Sequence, residues 1–319
     1  MLPSCLVIDI DPPSRVCIAC GAHGARARRF RDGPYILATC DRCSLRWVVN
    51  APQGEELAAL YSSGFYEPGP ERANGVVELY HHVDNTFRMR ELRGLRPGRL
   101  LDVGSGRGRF LAAASTIGWD AVGIEFEPGL AAMASDRYGV EVVVGDAVSA
   151  PVEGPFDVIT MWHALEHLPD PLAALERARE LLAPGGRLVI SVPNNDSWQA
   201  RLGGDDWLHL DIPRHLYHFT PGSLTRLVER AGGDVVRLSY LYPGMEVLGV
   251  LQTALIRMGI APVLLYRCAT RDRTVAMGPD VLLSLAAAAA FMPVALSAAV
   301  ITPLVRSGAS MQLMAARAG

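Results

Sequence analysis

A doubly wound α/β fold is predicted by three observations. The stretch from Leu100 to Arg109, LLDVGSGRGR, runs an apolar strand into alternating glycines. Apolar segments of strand length then alternate with helix-length segments as far as Val192. Four of the strand ends carry an acid or an aromatic, at Asp102, Glu125, Asp146 and Trp162. Strands alternating with helices of about a dozen residues build a parallel sheet covered on both faces, with ligands at the carboxyl ends of its strands.

Each element has its own signal. Leu100, Leu101 and Val103 suit a buried parallel strand, and Gly104, Gly106 and Gly108 let the backbone turn tightly before a helix that begins at Phe110. The loop amides and the helix N-terminus then face one site. Ala121 to Glu125 reads as the second strand and ends in a carboxylate 23 residues after Asp102, where an acid can hold both hydroxyls of a ribose. Phe126 follows it. Glu141 to Val144 is the third strand, leading into Gly145, Asp146 and Ala147. Phe156 to Met161 is the fourth and runs into Trp162. A helix over 172–182, closed by Ala-Pro-Gly-Gly, precedes the fifth strand, Arg187 to Val192. Thr220 opens a helix with an apolar face at Leu224, Leu227 and Val228, and Asp234 to Tyr240 is the sixth strand. The last residues from Ser310 alternate like a strand.

The glycine spacing discriminates between ligands. In the dinucleotide fingerprint G-x-G-x-x-G the third glycine would fall at Arg109, where close helix-strand packing would be lost. The observed G-x-G-x-G after Asp102 resembles instead the first motif of class I S-adenosylmethionine-dependent methyltransferases. That resemblance implies a seven-stranded, Rossmann-like methyltransferase sheet whose last strand runs antiparallel beside the sixth. It implies S-adenosylmethionine as cofactor, lined by Asp102, Gly104, Gly106, Gly108, Glu125, Phe126, Asp146, Ala147 and Trp162. In it Phe126 lies against the adenine, Asp146 takes the adenine amino group and the Ala147 amide a ring nitrogen. A glycine-rich turn without a ligand is the plain alternative for the loop alone.

Methyl transfer needs the nucleophile placed opposite the leaving sulfur and, where it carries a proton, a base to take it. His163, Glu166 and His167, just past the fourth strand, are the candidates, with His167 expected as base or acceptor contact. Their H-x-x-E-H pattern also matches an inverted zinc-protease motif, which needs a continuous helix that Pro169 and Pro171 interrupt. The segment resembles the E-x-x-E-H of ubiquinone-biosynthesis O-methyltransferases, which binds a divalent metal, with His163 in place of the first Glu. A loop-capping role for Glu166 and His167 is the alternative. Downstream, residues 197–220 are dense in aromatics, histidines and charge, as an acceptor-specificity loop would be. Trp207, Asp211, Arg214, His215 and His218 in it resemble a branch of methyltransferases from surface-polysaccharide and other glycan pathways, and imply substrate binding; a packed lid is the competing reading.

Cys17-x2-Cys20 and Cys40-x2-Cys43, separated by 19 residues, have the spacing of a four-thiolate zinc ribbon. Zinc is expected to be structural, since four thiolates leave no open position. Two disulfides are the alternative, disfavoured by the lack of a signal peptide and by an enzyme core of cytosolic type. Cys5 and Cys268 fit neither scheme. Arginines 26, 28, 29 and 31 read as a solvated face or a docking surface, the former preferred. Glu55 to Arg93 looks helical, and the Tyr61 and Tyr80-His-His pieces read either as a closure over the cofactor or as aromatics that packing alone explains.

A net charge of −3 over 319 residues gives no general reason to bind nucleic acid. Val281 to Val305 is 25 residues without a charge, long enough to span a bilayer, although it contains Pro293 and Pro303. If the sixth and last strands are neighbours, this segment lies inside an insertion whose two ends share one side, so a single crossing is excluded. A hairpin dipping into the membrane, an in-plane helix pair and a hydrophobic homodimer interface remain, and membrane association is favoured, with Arg257, Arg267, Arg271, Arg273 and Arg306 at its edges. The expected organisation is a tail and zinc ribbon over 1–50, a helical linker or lid over 51–98, a methyltransferase core over 99–240, a hydrophobic insertion over 241–306 and the final core strand over 307–319. The resemblance implies a cytoplasmic enzyme that O-methylates a small-molecule, sugar or lipid-linked acceptor, and the hydrophobic insertion adds the expectation of a peripheral place on the inner face of the membrane. The rivals are an NAD-dependent dehydrogenase or epimerase and a catalytically silent zinc-ribbon membrane adaptor.

Overall fold

The structure is a computed structural model and describes residues 16–60, 75–260 and 278–317. Cys5, Cys268, the Tyr61 piece and arginines 267, 271 and 273 lie outside the described residues. In chain order the elements are β1 (Ala25–Arg29), β2 (Ile36–Cys40), β3 (Arg46–Val48), α1 (Gly54–Ala59), α2 (Gly75–Arg90), β4 (Arg99–Val103), α3 (Arg109–Thr116), β5 (Asp120–Glu125), α4 (Pro128–Tyr138) and β6 (Glu141–Val144). They continue with β7 (Phe156–Trp162), α5 (Pro171–Leu181), β8 (Leu182–Pro193), α6 (Trp198–Gly203), β9 (Tyr217–His218), α7 (Pro221–Arg230), β10 (Gly233–Ser239), α8 (Pro243–Arg257), α9 (Pro279–Leu304) and β11 (Ser310–Arg317).

Seven strands form the main sheet in the order β10-β11-β8-β7-β4-β5-β6. β4 pairs in parallel with β5 and β7, β5 with β6, and β7 with β8. β11 runs antiparallel between β8 and β10, so the sixth and last strands are indeed neighbours. Leu100, Leu101, Ile159 and Ile190 are fully buried, as central strands covered on both faces require.

Local chemistry fixes the helix starts. Asp170 accepts from Ala173 N at 3.0 Å ahead of Pro171, and Thr220 and Ser223 cap each other reciprocally ahead of Leu224, Leu227 and Val228, all buried. β8 begins at Leu182, five residues earlier than its apolar run, because the Ala-Pro-Gly-Gly segment is already extended.

A second sheet of four strands has the order β1-β2-β3-β9. Its first two strands are the hairpin between the cysteine pairs, and the fourth comes from the segment 204–220. Cys17, Cys40 and Cys43 share one buried cluster with Leu101, Ile159 and Leu224, which packs this sheet against the main one.

Candidate functional site

The glycine loop after β4 is shaped by three different demands. A Cβ on Gly104 would stand 2.7 Å from Ala164 Cβ, and one on Gly108, at φ +72°, 2.7 Å from Ala134 Cβ. Gly106 differs: at φ +54° it has open space where its side chain would point, and its N–H donates to Glu125 Oε2 at 2.7 Å. Two glycines thus seat the loop on α4 and on the turn after β7, and the third bares backbone to the cleft.

Of the acids at the strand ends, Glu125 holds this loop from below. Glu125, nearly buried, also accepts from Glu127 N at 3.0 Å, and burial raises its pKa. Asp102 is 2% exposed and accepts from Thr160 Oγ1 at 2.6 Å. Burial pushes its carboxyl up to about 7, against the opposing pull of Thr160 and of Arg88. Asp146 accepts from the amides of Val148 and Ser149, which hold it below the usual range together with the Ser149 hydroxyl. Phe126 is 53% exposed beside the cleft. Trp162 is buried edge-on to Phe110, and its indole N–H has no hydrogen-bond partner among the described residues.

Two residues that the sequence reading missed complete the cleft. Arg88, on α2, pairs with Asp84 at 2.8 Å, donates through Nε to the Tyr242 hydroxyl at 3.0 Å and lies 5.6 Å from the Trp162 ring centroid. Burial works against its charge, but Asp84 and Tyr242 more than restore it. Tyr242 is buried, its pKa raised by that burial, and its ring lies 5.5 Å from that of His163. The i, i+4 pair of Asp84 and Arg88 in a helix was the available signal for the first; the position of Tyr242 between the sixth strand and Pro243 was the signal for the second.

The H-x-x-E-H segment is no continuous helix. His163 stands at φ +52°, Leu165–His167 forms a single 3-10 turn, and Pro169 and Pro171 follow. His163 Nδ1 is 3.3 Å from Glu166 Oε1, and its Nε2 is 3.3 Å from both the Ser191 and the Ser310 hydroxyls. Glu166 is fully buried, and neither carboxylate oxygen receives a hydrogen bond from a described residue. His167 turns toward the segment 204–220, its Nδ1 3.1 Å from Arg214 O and its ring edge-on to His215 at 4.6 Å. One carboxylate oxygen of Glu166 and one ring nitrogen each of His167 and His215 lie within 4.8 Å of one another. A buried unpaired carboxylate beside two imidazoles fits a divalent cation.

The other residues expected to bind substrate fold their segment onto itself. Arg214 pairs with Asp211, His215 Nδ1 lies 2.8 Å from His209 O, and His218 Nε2 lies 2.8 Å from Leu210 O. Burial lowers the pKa of His209 and His218 to about 4 and that of His215 well below its usual value, so all three are neutral near pH 7. Trp207 is buried against Phe30, Leu37 and Val48.

In the second sheet's knuckle, Cys17 Sγ is 3.5 Å from Cys43 Sγ, Cys20 Sγ is 3.6 Å from Cys40 Sγ, and all four sulfurs lie within 4.8 Å. Those spacings suit a tetrahedral four-thiolate zinc site. Arg28 and Arg31 pair with Asp205 and Asp206, while Arg26, Arg29 and Arg31 are exposed, as in the solvated face expected.

Residues 81–238 match a family model described as a methyltransferase domain. A ubiquinone biosynthesis O-methyltransferase of Cereibacter sphaeroides is 31% identical over 150 residues, 43% of this chain and 61% of that relative's length. The corresponding protein of Psychrobacter arcticus is 32% identical over 195 residues, 55% of this chain and 76% of the relative. Among solved structures, the Haemonchus contortus phospholethanolamine N-methyltransferase 2, in complex with phosphomonomethylethanolamine and S-adenosylhomocysteine, superposes with a TM-score of 0.54 at 14% identity, over 84% of this chain and 62% of that one. Together with the strand order and the acid-plus-glycine loop, these relationships show that the chain belongs to the class I S-adenosylmethionine-dependent methyltransferases.

Proposed function

We propose that this protein transfers the methyl group of S-adenosylmethionine to a hydroxyl of a sugar or lipid-linked acceptor at a membrane surface. The observation that carries the reading is the buried carboxyl of Asp102 at the carboxyl edge of the sheet, within the electrostatic reach of Arg88 and beside the open face of Gly106. A carboxylate and a guanidinium set together suit the ammonium and carboxylate of a methionine moiety. Glu125, Phe126, Asp146 and Ala147 are disposed along the same edge for the nucleoside.

Bound there, S-adenosylmethionine supplies an electrophilic methyl carbon: the acceptor oxygen forms the new C–O bond as the C–S bond breaks and its electron pair stays on sulfur. The chain's own contribution is to position and to take the proton. His163 is better placed for that than His167. Its Nδ1 stands 3.3 Å from the buried carboxylate of Glu166, and the ring of Tyr242 lies 5.5 Å away, tilted by 31°. His167 then serves the acceptor segment. The Glu166, His167 and His215 donor set favours a second reading in which a divalent cation sits between the turn and that segment, with His215 as a ligand and His163 outside the set.

The insertion supports the membrane part. β10 and β11 are neighbours, so the chain leaves and re-enters the sheet on one side through α8 and α9. α9 is 26 residues long and apolar on all faces, yet only 28% of its most apolar window is buried. A helix apolar all round needs cover, and among the described residues α8 covers one side of it.

Titration calorimetry of the purified, metal-loaded protein with S-adenosylmethionine, S-adenosylhomocysteine and NAD tests the donor assignment. Heat with the first two and none with NAD is expected. No binding of either sulfur nucleoside rejects it.

A further inference from the structure

The cysteine knuckle is joined to the acceptor segment by its own sheet. β3 starts three residues after Cys43 and pairs on one side with β2 and on the other with β9, Arg46 opposite His218 and Trp47 opposite Tyr217. Val48 N donates to Leu216 O at 2.9 Å, and Leu216 N donates to Glu166 O at 2.8 Å. Two successive backbone hydrogen bonds therefore connect the cysteine sheet to the turn that carries Glu166. Thr220 Oγ1 also donates to Cys43 O at 3.3 Å, at the end of the same segment.

Side chains tie down the rest of it. Arg28 and Arg31, on and just after β1, hold Asp205 and Asp206, while Trp207 and Leu210 pack on Phe30, Leu37 and Val48. β9 itself is two residues long and, among the described residues, pairs with no strand other than β3. So short a strand does not offset its own ordering entropy and takes its geometry from the strand it pairs with. The cofactor cradle is different, because β4, β5 and β6 and the glycine loop make no backbone pairing with the cysteine sheet.

We infer that the four-cysteine site is the positioning element of the acceptor segment: metal held by Cys17, Cys20, Cys40 and Cys43 fixes the hairpin and β3, and β3 in turn sets β9, His215 and the Glu166 turn. The knuckle is thus an internal template for one half of the site, joined to it by backbone hydrogen bonds, whereas it meets the donor half through the side-chain packing that Cys17, Cys40 and Cys43 share with Leu101. The inference rests on the reading of residues 204–220 as the acceptor segment.

Hydrogen-exchange mass spectrometry of the full chain, zinc-loaded and after chelation under reducing conditions, tests it alongside S-adenosylhomocysteine titration of both forms. Loss of metal is expected to speed exchange over 204–219 by roughly ten-fold or more, as local opening does. Exchange over 99–146 and affinity for S-adenosylhomocysteine should stay as they were, and added zinc should restore protection. Unchanged protection over 204–219, or loss of nucleoside affinity together with the metal, overturns the inference. Should the metal-free form precipitate, Arg28→Gln/Arg31→Gln with the cysteines intact carries the test: faster exchange over 204–210 supports the template, and unchanged exchange rejects it. If the zinc-loaded protein binds no S-adenosylhomocysteine, the proposed function fails while the exchange comparison still reports on the template.

Discussion

His163 Nδ1 lies 3.3 Å from Glu166 Oε1, and that carboxylate is fully buried with neither oxygen accepting a hydrogen bond from a described residue. His163 also holds a left-handed backbone conformation at φ +52°, which is costly for a residue with a side chain and is found where function demands it. His163→Ala is expected to lower turnover by about 10²–10⁴-fold, the usual worth of a positioned base. Glu166→Gln should give a smaller loss. Affinity for S-adenosylhomocysteine should be unchanged in both, and equal turnover in His163→Ala and wild type would remove this residue from the chemistry.

Asp102 makes donor binding pH-dependent. Its carboxyl is pushed up to about 7 by burial, so near pH 6 the free protein carries a proton there that the unfolded chain has already released. Between about pH 4 and pH 7 stability therefore falls as pH rises, by about 1 kcal/mol per unit, and above pH 7 the slope vanishes. The stability difference between wild type and Asp102→Asn should show that slope in urea titrations across the window. An ammonium placed beside Asp102 lowers its pKa, so binding of S-adenosylmethionine at pH 6 should release a proton. Calorimetry in buffers of different ionisation enthalpy detects the release, and Asp102→Asn should abolish it.

Much of this cradle was legible in the sequence, and the physical reason is local. A strand that ends in an acid and three glycines is defined by backbone constraints over ten residues, and the caps at Asp170 and Thr220 act over three or four. The acceptor segment was legible as a place but not as an arrangement. His215 and His218 look like ligands for an acceptor, whereas both bond to main-chain carbonyls of their own loop, a choice set by tertiary packing. β9 was invisible for the same reason, since two residues carry no periodicity. Arg88 and Tyr242 reach the cleft from elements far apart in sequence, and nothing local marks that meeting.

Gly108 and Gly106 separate folding from binding. Gly108→Ala must displace Ala134, whose Cβ would be 2.7 Å away, and must hold φ at +72°, so a loss of about 1–3 kcal/mol in urea denaturation is expected. Gly106→Ala meets nothing within 4 Å and bears only the strain of φ +54°, about 1 kcal/mol. Its methyl group projects into the donor cleft, so it should lose more affinity for S-adenosylhomocysteine than stability. The reverse ranking for the two variants would mean that the cleft lies elsewhere.

The exposed face of α9 offers the cleanest test of the membrane reading, because substitutions there leave the core untouched. Leu296 and Val300 are 55% and 67% exposed, one helical turn apart, and the helix carries no charge from Val281 to Val305. An arginine at each adds two charges that water accepts and a bilayer interior resists, at about 2.5–3.5 kcal/mol apiece on insertion scales. Wild-type protein should sediment with vesicles of mixed zwitterionic and anionic lipid, and Leu296→Arg/Val300→Arg should stay in the supernatant with its thermal unfolding midpoint and S-adenosylhomocysteine affinity preserved. A wild-type protein that ignores vesicles but elutes as a dimer, which the same double substitution converts to a monomer, would assign this face to a second copy of the chain instead of lipid.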